Sequence, residues 1–269
     1  MNLIQSIPLN SIRNARELGG YLTDDGRKVK EGVLLRTAAL YGISDEDIRL
    51  LTDTYRLRHI IDFRMDMELA DAADPSVCGA EHHHLNVIDP STFPDQGDSD
   101  LDITTLDIVQ SVAFSEQIGA MDGRMYIGFL AGETGQKAYA DFFRILLSAE
   151  PDHAVLWHCT SGKDRTGLAA MLLLSAFGVD EEVIIRDYLL TNAFNAGRID
   201  AARRNLTAQG FDAAFVEKAI LVLDAVDERV MRKAIAFLKK EYGSPVGYIR
   251  EGLKLSQGDI NSLKEIYLA

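Results

Sequence analysis

At 269 residues, with 47% hydrophobic and 26% charged side chains, the chain has the composition of a globular protein large enough to build a sizeable core. Its 28 Lys and Arg stand against 41 Asp and Glu, and the formal charge of -13 repels nucleic acid and anionic lipid at long range, so an anionic substrate needs a local positive pocket. No apolar run is long enough to cross a bilayer and MNLIQSIPLNSIRNARELGG has no basic region ahead of an apolar stretch, which argues against membrane insertion and a signal peptide and makes the cytoplasm the expected location. The two cysteines, Cys78 and Cys159, are too few for a disulfide scaffold and lack C-x-x-C spacing.

In chain order, residues 17 to 40 place two β-prone runs around Asp25-Gly26, predicting a hairpin. Ser44-Asp45-Glu46-Asp47 fits a capping box that opens a helix through about Arg56. RHIIDF (58 to 63) reads as a buried strand and HHHLNVI (82 to 88) as a second. Residues 89 to 122 read as an acidic loop followed by a helix, too long for a plain connection and of the kind that forms lids. The Phe and Met residues of 114 to 130 fit a buried helix face better than a hydrophobic lid. GFLAGETGQKA (128 to 138) fits a helix end and loop, QKAYADFFRILLSA (136 to 149) a helix, and AVLWHC (154 to 159) an apolar strand. GLAAMLLLSAFG is then a buried helix closed by Gly178. Residues 179 to 269 read as helical: DEEVIIRDYLLTN, IDAARRNLTAQG, a helix over roughly 226 to 241 stopped by Gly243 and Pro245, and a last one after Ser256. The fold class expected is α/β, with a helical C-terminal part, in one domain over 1–269.

WHCTSGKDRTG (157 to 167) joins that strand to that helix. As a nucleotide loop it fails twice, because Asp164 follows Gly162-Lys163 and Trp157 stands where the first glycine belongs. As Cys-x5-Arg it makes a phosphate cup, in which the backbone N–H groups of Thr160, Ser161, Gly162, Lys163 and Asp164 and a helix N-terminus surround a tetrahedral anion. Arg165 can fork two donors onto the phosphoryl oxygens, a geometry that lysine does not match. The same dipoles favour a thiolate at Cys159, the candidate nucleophile, with His158 orienting the loop and the Thr166 hydroxyl donating to the sulfur as it leaves.

On His158, Cys159, Gly162, Lys163, Asp164, Arg165, Thr166 and Gly167 the loop reproduces HCxxGKDRTG and resembles that of the atypical bacterial tyrosine and dual-specificity phosphatases of the protein-tyrosine-phosphatase B type. NARELGGYLTDDGRKVKEGVLLRTAAL resembles the opening segment of that family, IIDFRMDMELA its D-L-R-x-x-x-E stretch, and YGSPVGYIREGL its ending. The resemblance implies a central, mostly parallel sheet flanked by helices and a two-step reaction through a phosphocysteine, with no metal and no cofactor. Ala15 and Glu17 replace the commoner Phe and Asp of the opening segment, and Phe63 and Met65 replace Leu and Ser, departures that bear on substrate preference.

Three carboxylates are candidates for the acid that protonates the leaving oxygen: Asp62, at the position the resemblance implies as functional, then Asp164, then Asp89 at the start of the acidic loop. Asp164 equally suits a structural pair with a neighbouring cation, and Lys163 a role in attracting inositol-linked phosphate. Arg36 and Arg64 read as surface cations before pocket residues. In His82-His83-His84 neighbouring side chains point to opposite faces and no further ligands stand at ligand spacing, so a plain strand is favoured over a metal site. Cys78 reads as an incidental free thiol before a redox partner of Cys159. The substrate expected is phosphotyrosine on a protein, with phosphoserine, phosphothreonine or phosphoinositide besides. The alternatives are an inositol polyphosphate phosphatase, hinted at by Arg13, Arg16, Arg27, Lys28 and Lys30, and a pseudophosphatase that binds phosphate without turnover.

Overall fold

A computed structural model describes residues 6–89 and 103–269. Five strands make one sheet: β1 (Arg16–Glu17), β2 (Leu34–Thr37), β3 (His59–Asp62), β4 (Glu81–His84) and β5 (Val155–His158), in the order β1-β2-β5-β3-β4. Only β1 runs antiparallel to its neighbour. Register aligns Thr37 and Asp62 with His158, and Asp62 with His84, so the C-terminal ends of the parallel strands are level. Ligand sites of open α/β sheets gather at that edge.

Strand alternation divides the apolar side chains between two faces. Leu35, Ile60 and Leu156 face one cluster with Leu51, Leu57 and Val77. Leu34, Ile61 and Trp157 face the larger cluster, built with α5 (Glu133–Ser148), α6 (Asp164–Phe177) and α10 (Glu228–Tyr242). Helix α6 is buried almost all round, as its composition requires, and Gly178 closes it at φ 82°. The remaining helices are α1 (Asp45–Arg49), α2 (Asp66–Asp71), α3 (Ile108–Gln117), α4 (Arg124–Ala131), α7 (Glu181–Phe194), α8 (Ala196–Ala208), α9 (Ala213–Leu223), α11 (Pro245–Glu251) and α12 (Gln257–Tyr267). A third cluster joins Val112 of α3 to Leu206 of α8 and to Val216 and Ile220 of α9.

Several expectations are corrected. Helix α1 stops at Arg49 and continues as a π turn over Leu50–Thr54, and only half of the capping box forms: Ser44 accepts from the Asp47 amide, while the Asp47 carboxylate turns to Ser11 and Asn10. β4 begins at Glu81 and ends at His84, because the Asn86 side chain takes the Ile88 amide in a local turn and breaks the ladder. Gly132 separates two helices where a helix end and loop were expected. Phe129 is a core residue, in accord with a buried helix face, whereas Phe114, Met121 and Met125 are half-buried and line a cavity. Helix α10 ends at Tyr242 with Gly243 as its cap, as expected, and Pro245 then starts α11, because a proline at the first helical position surrenders an amide that has no partner in any case. Helix α9 was not anticipated. Of the 89 to 122 insertion, residues 90 to 102 lie outside the described residues, and the remainder includes α3 and a 3-10 turn over Ile103–Thr105. No helix among the described residues is long and apolar enough to cross a membrane.

Candidate active site

Cys159 follows the last residue of β5, is 1% exposed, and opens a five-residue turn into α6. The turn is held from outside by its carbonyls. Asn14 donates from Nδ2 to the oxygens of Ser161 (3.1 Å) and Gly162 (2.9 Å), and Arg36 donates from Nη2 to that of Gly162 (3.0 Å). Gly162 adopts φ 65°, and a Cβ there would overlap the Thr37 carbonyl, so the tight turn against β2 requires glycine. With the carbonyls engaged outside, the amides of Thr160, Ser161, Gly162 and Lys163 donate to no protein group among the described residues. They line the cup together with the α6 N-terminus, an arrangement suited to a tetrahedral anion.

Arg165, in the first turn of α6, is held by a carboxylate that the sequence reading left without a role. Glu68 of α2 takes its Nη1 at 2.6 Å and Nη2 at 2.9 Å, and also accepts from the Thr160 hydroxyl and, at 2.9 Å, from the Met65 amide. Burial alone would raise the Glu68 carboxyl, yet the Arg165 guanidinium and these donors bring it down to about 2. The same pairing outweighs desolvation at Arg165 and holds its guanidinium above the ordinary arginine range.

Arg36 and Arg64 are fully buried, which overturns their reading as surface cations. Arg36 pairs with Asp187 at 2.8 Å, and Asp187 also accepts from Tyr21 and Arg16. Burial, then the neighbouring Arg36, pushes Arg16 down to about 10. Arg64 donates from its amide, Nε and Nη2 to Asp62, and Nη2 lies 3.1 Å from Asp74. His158 sits between the same two carboxylates, with Nε2 at 2.8 Å from Asp74 and Nδ1 at 3.7 Å from Asp62. Its Nδ1 also lies 3.3 Å from the Cys159 carbonyl oxygen. The ligand atoms of Asp62, Asp74 and His158 come within 4.8 Å of one another, but Arg64 already supplies the cation there.

The three candidate acids are placed very differently. Both oxygens of Asp62 are taken by Arg64, so a carboxylate so engaged has no oxygen turned to a leaving group. Asp164 is about a quarter exposed, accepts from the Tyr126 hydroxyl at 2.6 Å through Oδ1, and keeps Oδ2 3.9 Å from Lys163 Nζ. Tyr126 and Tyr188, joined at 2.8 Å, line with Asp164 and Lys163 a cavity of about 230 Å3 under α3. Asp89 is half-buried at the edge of the described residues. Lys163, expected to bind phosphate, is placed elsewhere: its ammonium donates to the carbonyls of Leu221 (2.6 Å), Val222 (2.9 Å) and Ala225 (3.2 Å) at the end of α9. The Thr166 hydroxyl is buried with no hydrogen-bond partner among the described residues. Of the basic set in the opening segment only Arg13 reaches the cup, at 3.2 Å from Ser161 Oγ, whereas Arg16 is internal, Arg27 pairs with Asp25 and Lys30 caps Ile266. Cys78 is exposed and Cys159 buried, and both thiols are free.

Beside Thr160 a second cavity of about 700 Å3 opens, lined among others by Arg13, Tyr41, Arg64, Glu68 and Arg198. Strand ends that present a buried thiol within a ring of amides, beside an arginine in the first turn of the next helix, define a site suited to holding a phosphate ester, as an ester-cleaving phosphatase requires. The tyrosine phosphatase family model matches residues 7–269, and the chain belongs to that family. A Cupriavidus necator protein named as a tyrosine-protein phosphatase is 30% identical over 98% of this chain and 88% of its own length. The triple specificity protein phosphatase PtpB of Mycobacterium tuberculosis is 29% identical over 53% of each chain, and a tyrosine-protein phosphatase of Nostoc commune is 31% identical over 53% of this chain and 47% of its own.

Proposed function

We propose that the chain hydrolyses phosphotyrosine in proteins by a two-step displacement. The Cys159 thiolate attacks phosphorus, the S–P bond forms as the P–O bond to the tyrosyl oxygen breaks, and a carboxylic acid supplies that oxygen with its proton. Water then attacks phosphorus, giving its proton to the resulting carboxylate, and the S–P bond breaks to release inorganic phosphate and restore the thiolate. Arg165 and the amides of residues 160–163 stabilise the charge that develops on the three equatorial oxygens. The observation that carries this reading is the cup itself, whose carbonyls are held outward by Asn14 and Arg36 while its amides stay uncommitted around Cys159.

We assign the acid to Asp164. It adjoins Arg165 in the chain, retains an oxygen not engaged by a guanidinium, and is partly open to solvent, whereas Asp62 is held on both oxygens. A broader substrate range, to phosphoserine, phosphothreonine or phosphoinositide, draws support from the 700 Å3 cavity beside Thr160, which has room for more than one leaving group and is lined by Arg13 and Arg198, both paired with Asp224. The test is hydrolysis of p-nitrophenyl phosphate and of a panel of phosphopeptides and phosphoinositides with EDTA present, across pH. Cys159→Ser is expected to abolish turnover, and Asp164→Asn to remove the basic limb of the kcat profile while Asp62→Asn retains it. Wild-type protein that binds phosphopeptide without turning it over would instead mark a pseudophosphatase.

A further inference from the structure

At the end of the sheet opposite the cup, β3 and β4 both open on side chains that ligate metals. Their parallel register sets His59 beside Glu81, and the two-residue repeat of a strand returns His83 to the same face. His84 belongs to the other set, with its Nε2 2.7 Å from the Arg64 carbonyl oxygen. On the shared face, His59 Nδ1 lies 3.0 Å from His83 Nε2, and Glu81 Oε2 lies 3.9 Å from each ring. A tetrahedral ion with nitrogen bonds of about 2.0 to 2.1 Å sets two ligating nitrogens roughly 3.3 Å apart. The imidazoles are therefore within a few tenths of an ångström of that spacing. Glu81, 68% exposed, has room to swing its carboxylate inward.

Two further groups border the cluster. His153, ahead of β5, and Glu150, after α5, lie 3.4 Å apart through Nδ1 and Oε2, and both act electrostatically on His59. Water can complete a fourth position, and the nearby glutamates offset the charge of a dication. The strand has a physical need for such a tie. β4 is an edge strand of sequence EHHH that gives no apolar side chain to the core, so beyond its backbone bonds only histidine contacts join it to β3 and to Arg64.

We propose that His59, His83 and Glu81 form a binding site for a divalent transition ion of the zinc class, separate from the catalytic cup, that fastens β4 to β3. Two imidazoles and a carboxylate without thiolate suit zinc, and copper, nickel and cobalt ions compete for the same donors by affinity order. A direct imidazole–imidazole hydrogen bond, with no ion, is the competing account of the 3.0 Å approach.

The experiment uses untagged, EDTA-stripped full-length protein carrying Cys78→Ser and Cys159→Ser, which removes both thiols as competing ligands and makes the readout independent of phosphatase activity. Titration with Zn2+ and Co2+ is expected to show one equivalent bound, visible Co2+ absorption of tetrahedral intensity, and a melting temperature that rises with zinc. His83→Gln in this background is expected to weaken binding at least about tenfold and to remove the cobalt band. Glu81→Gln, at an exposed position, gives the same direction with a smaller loss and carries the test should His83→Gln fail to fold. Absence of stoichiometric binding, or an affinity unchanged in either variant, overturns the proposal in favour of the hydrogen-bonded histidine pair.

Discussion

Glu68 decides where the guanidinium of Arg165 points, and its protonation leaves a signature in stability. Its carboxyl falls from an ordinary 4.5 to about 2 in the folded chain, so the stabilisation is fully present above pH 4.5 and is lost as pH falls through about 2. Glu68→Gln leaves Arg165 buried beside a neutral amide, and breaking such a pair costs about 3 kcal/mol. Melting of wild type and variant across pH is expected to show a gap that is constant from neutrality to about pH 5 and then closes; a gap independent of pH would remove Glu68 from the account. As a positioning residue it also acts on rate: kcat/KM of Glu68→Gln on p-nitrophenyl phosphate should drop about tenfold or more, since the planar donors of Arg165 are no longer oriented. Gly162→Ala tests the cup from the other side. Its φ of 65° and the Thr37 carbonyl leave no place for a methyl group, and a loss of about 1 to 3 kcal/mol with loss of turnover is expected in urea unfolding and activity assays.

Among the elements, the end of α9 is fastened to the cup by Lys163 and, through Asp224, by Arg13. The Lys163 ammonium satisfies three carbonyls around the C-terminal end of α9, where a cation also meets the negative end of the helix dipole. Lys163→Met keeps the apolar stem and deletes those bonds, at a cost of about 2 kcal/mol or more. Amide exchange over 213–223 is expected to speed up more than exchange in β5, and uniform protection in the variant would show that Lys163 does not anchor the helix. This tie explains what the sequence could and could not disclose. The cup was legible because its Cys159-to-Arg165 chemistry is contiguous, and β3, β5 and α6 were legible because unbroken apolar runs leave little choice of element. Helix α9 was missed although Asp212 caps its first turn by accepting from the Phe215 amide, because no Gly or Pro marks its C-terminal end at Asp224. The partners of the cup were hidden for another reason. Glu68 lies 97 residues from Arg165, Arg36 126 from Gly162, and Asn14 148 from Gly162, and no local pattern reports pairings of that reach. His59 and His83 stand 24 residues apart for the same reason, so spacing within HHHLNVI gave no sign of the company that β3 provides.

Across the whole molecule, the sheet separates two clusters, with the thiol and its arginine at the C-terminal strand ends and His59, Glu81 and His83 gathered toward the start of β3 and β4. The central strand that makes this possible, β5, pairs with β2 and β3, both made long before it in the chain. Trp157, the one tryptophan of the sequence, lies in β5 two positions before Cys159 and is fully buried. Insertion of such a late strand between two earlier ones depends on distant contacts, which form slowly. Until β5 is in place, then, the Cys159 thiol stands outside the cup that holds phosphate over it, and its capacity for substrate is set by a folding rate. In Cys78→Ser protein, stopped-flow refolding should gain protection of Cys159 by added inorganic phosphate against a thiol reagent in the same kinetic phase in which Trp157 fluorescence reaches its native value. Protection that arrives after that phase would mean that the cup forms in a later step of its own.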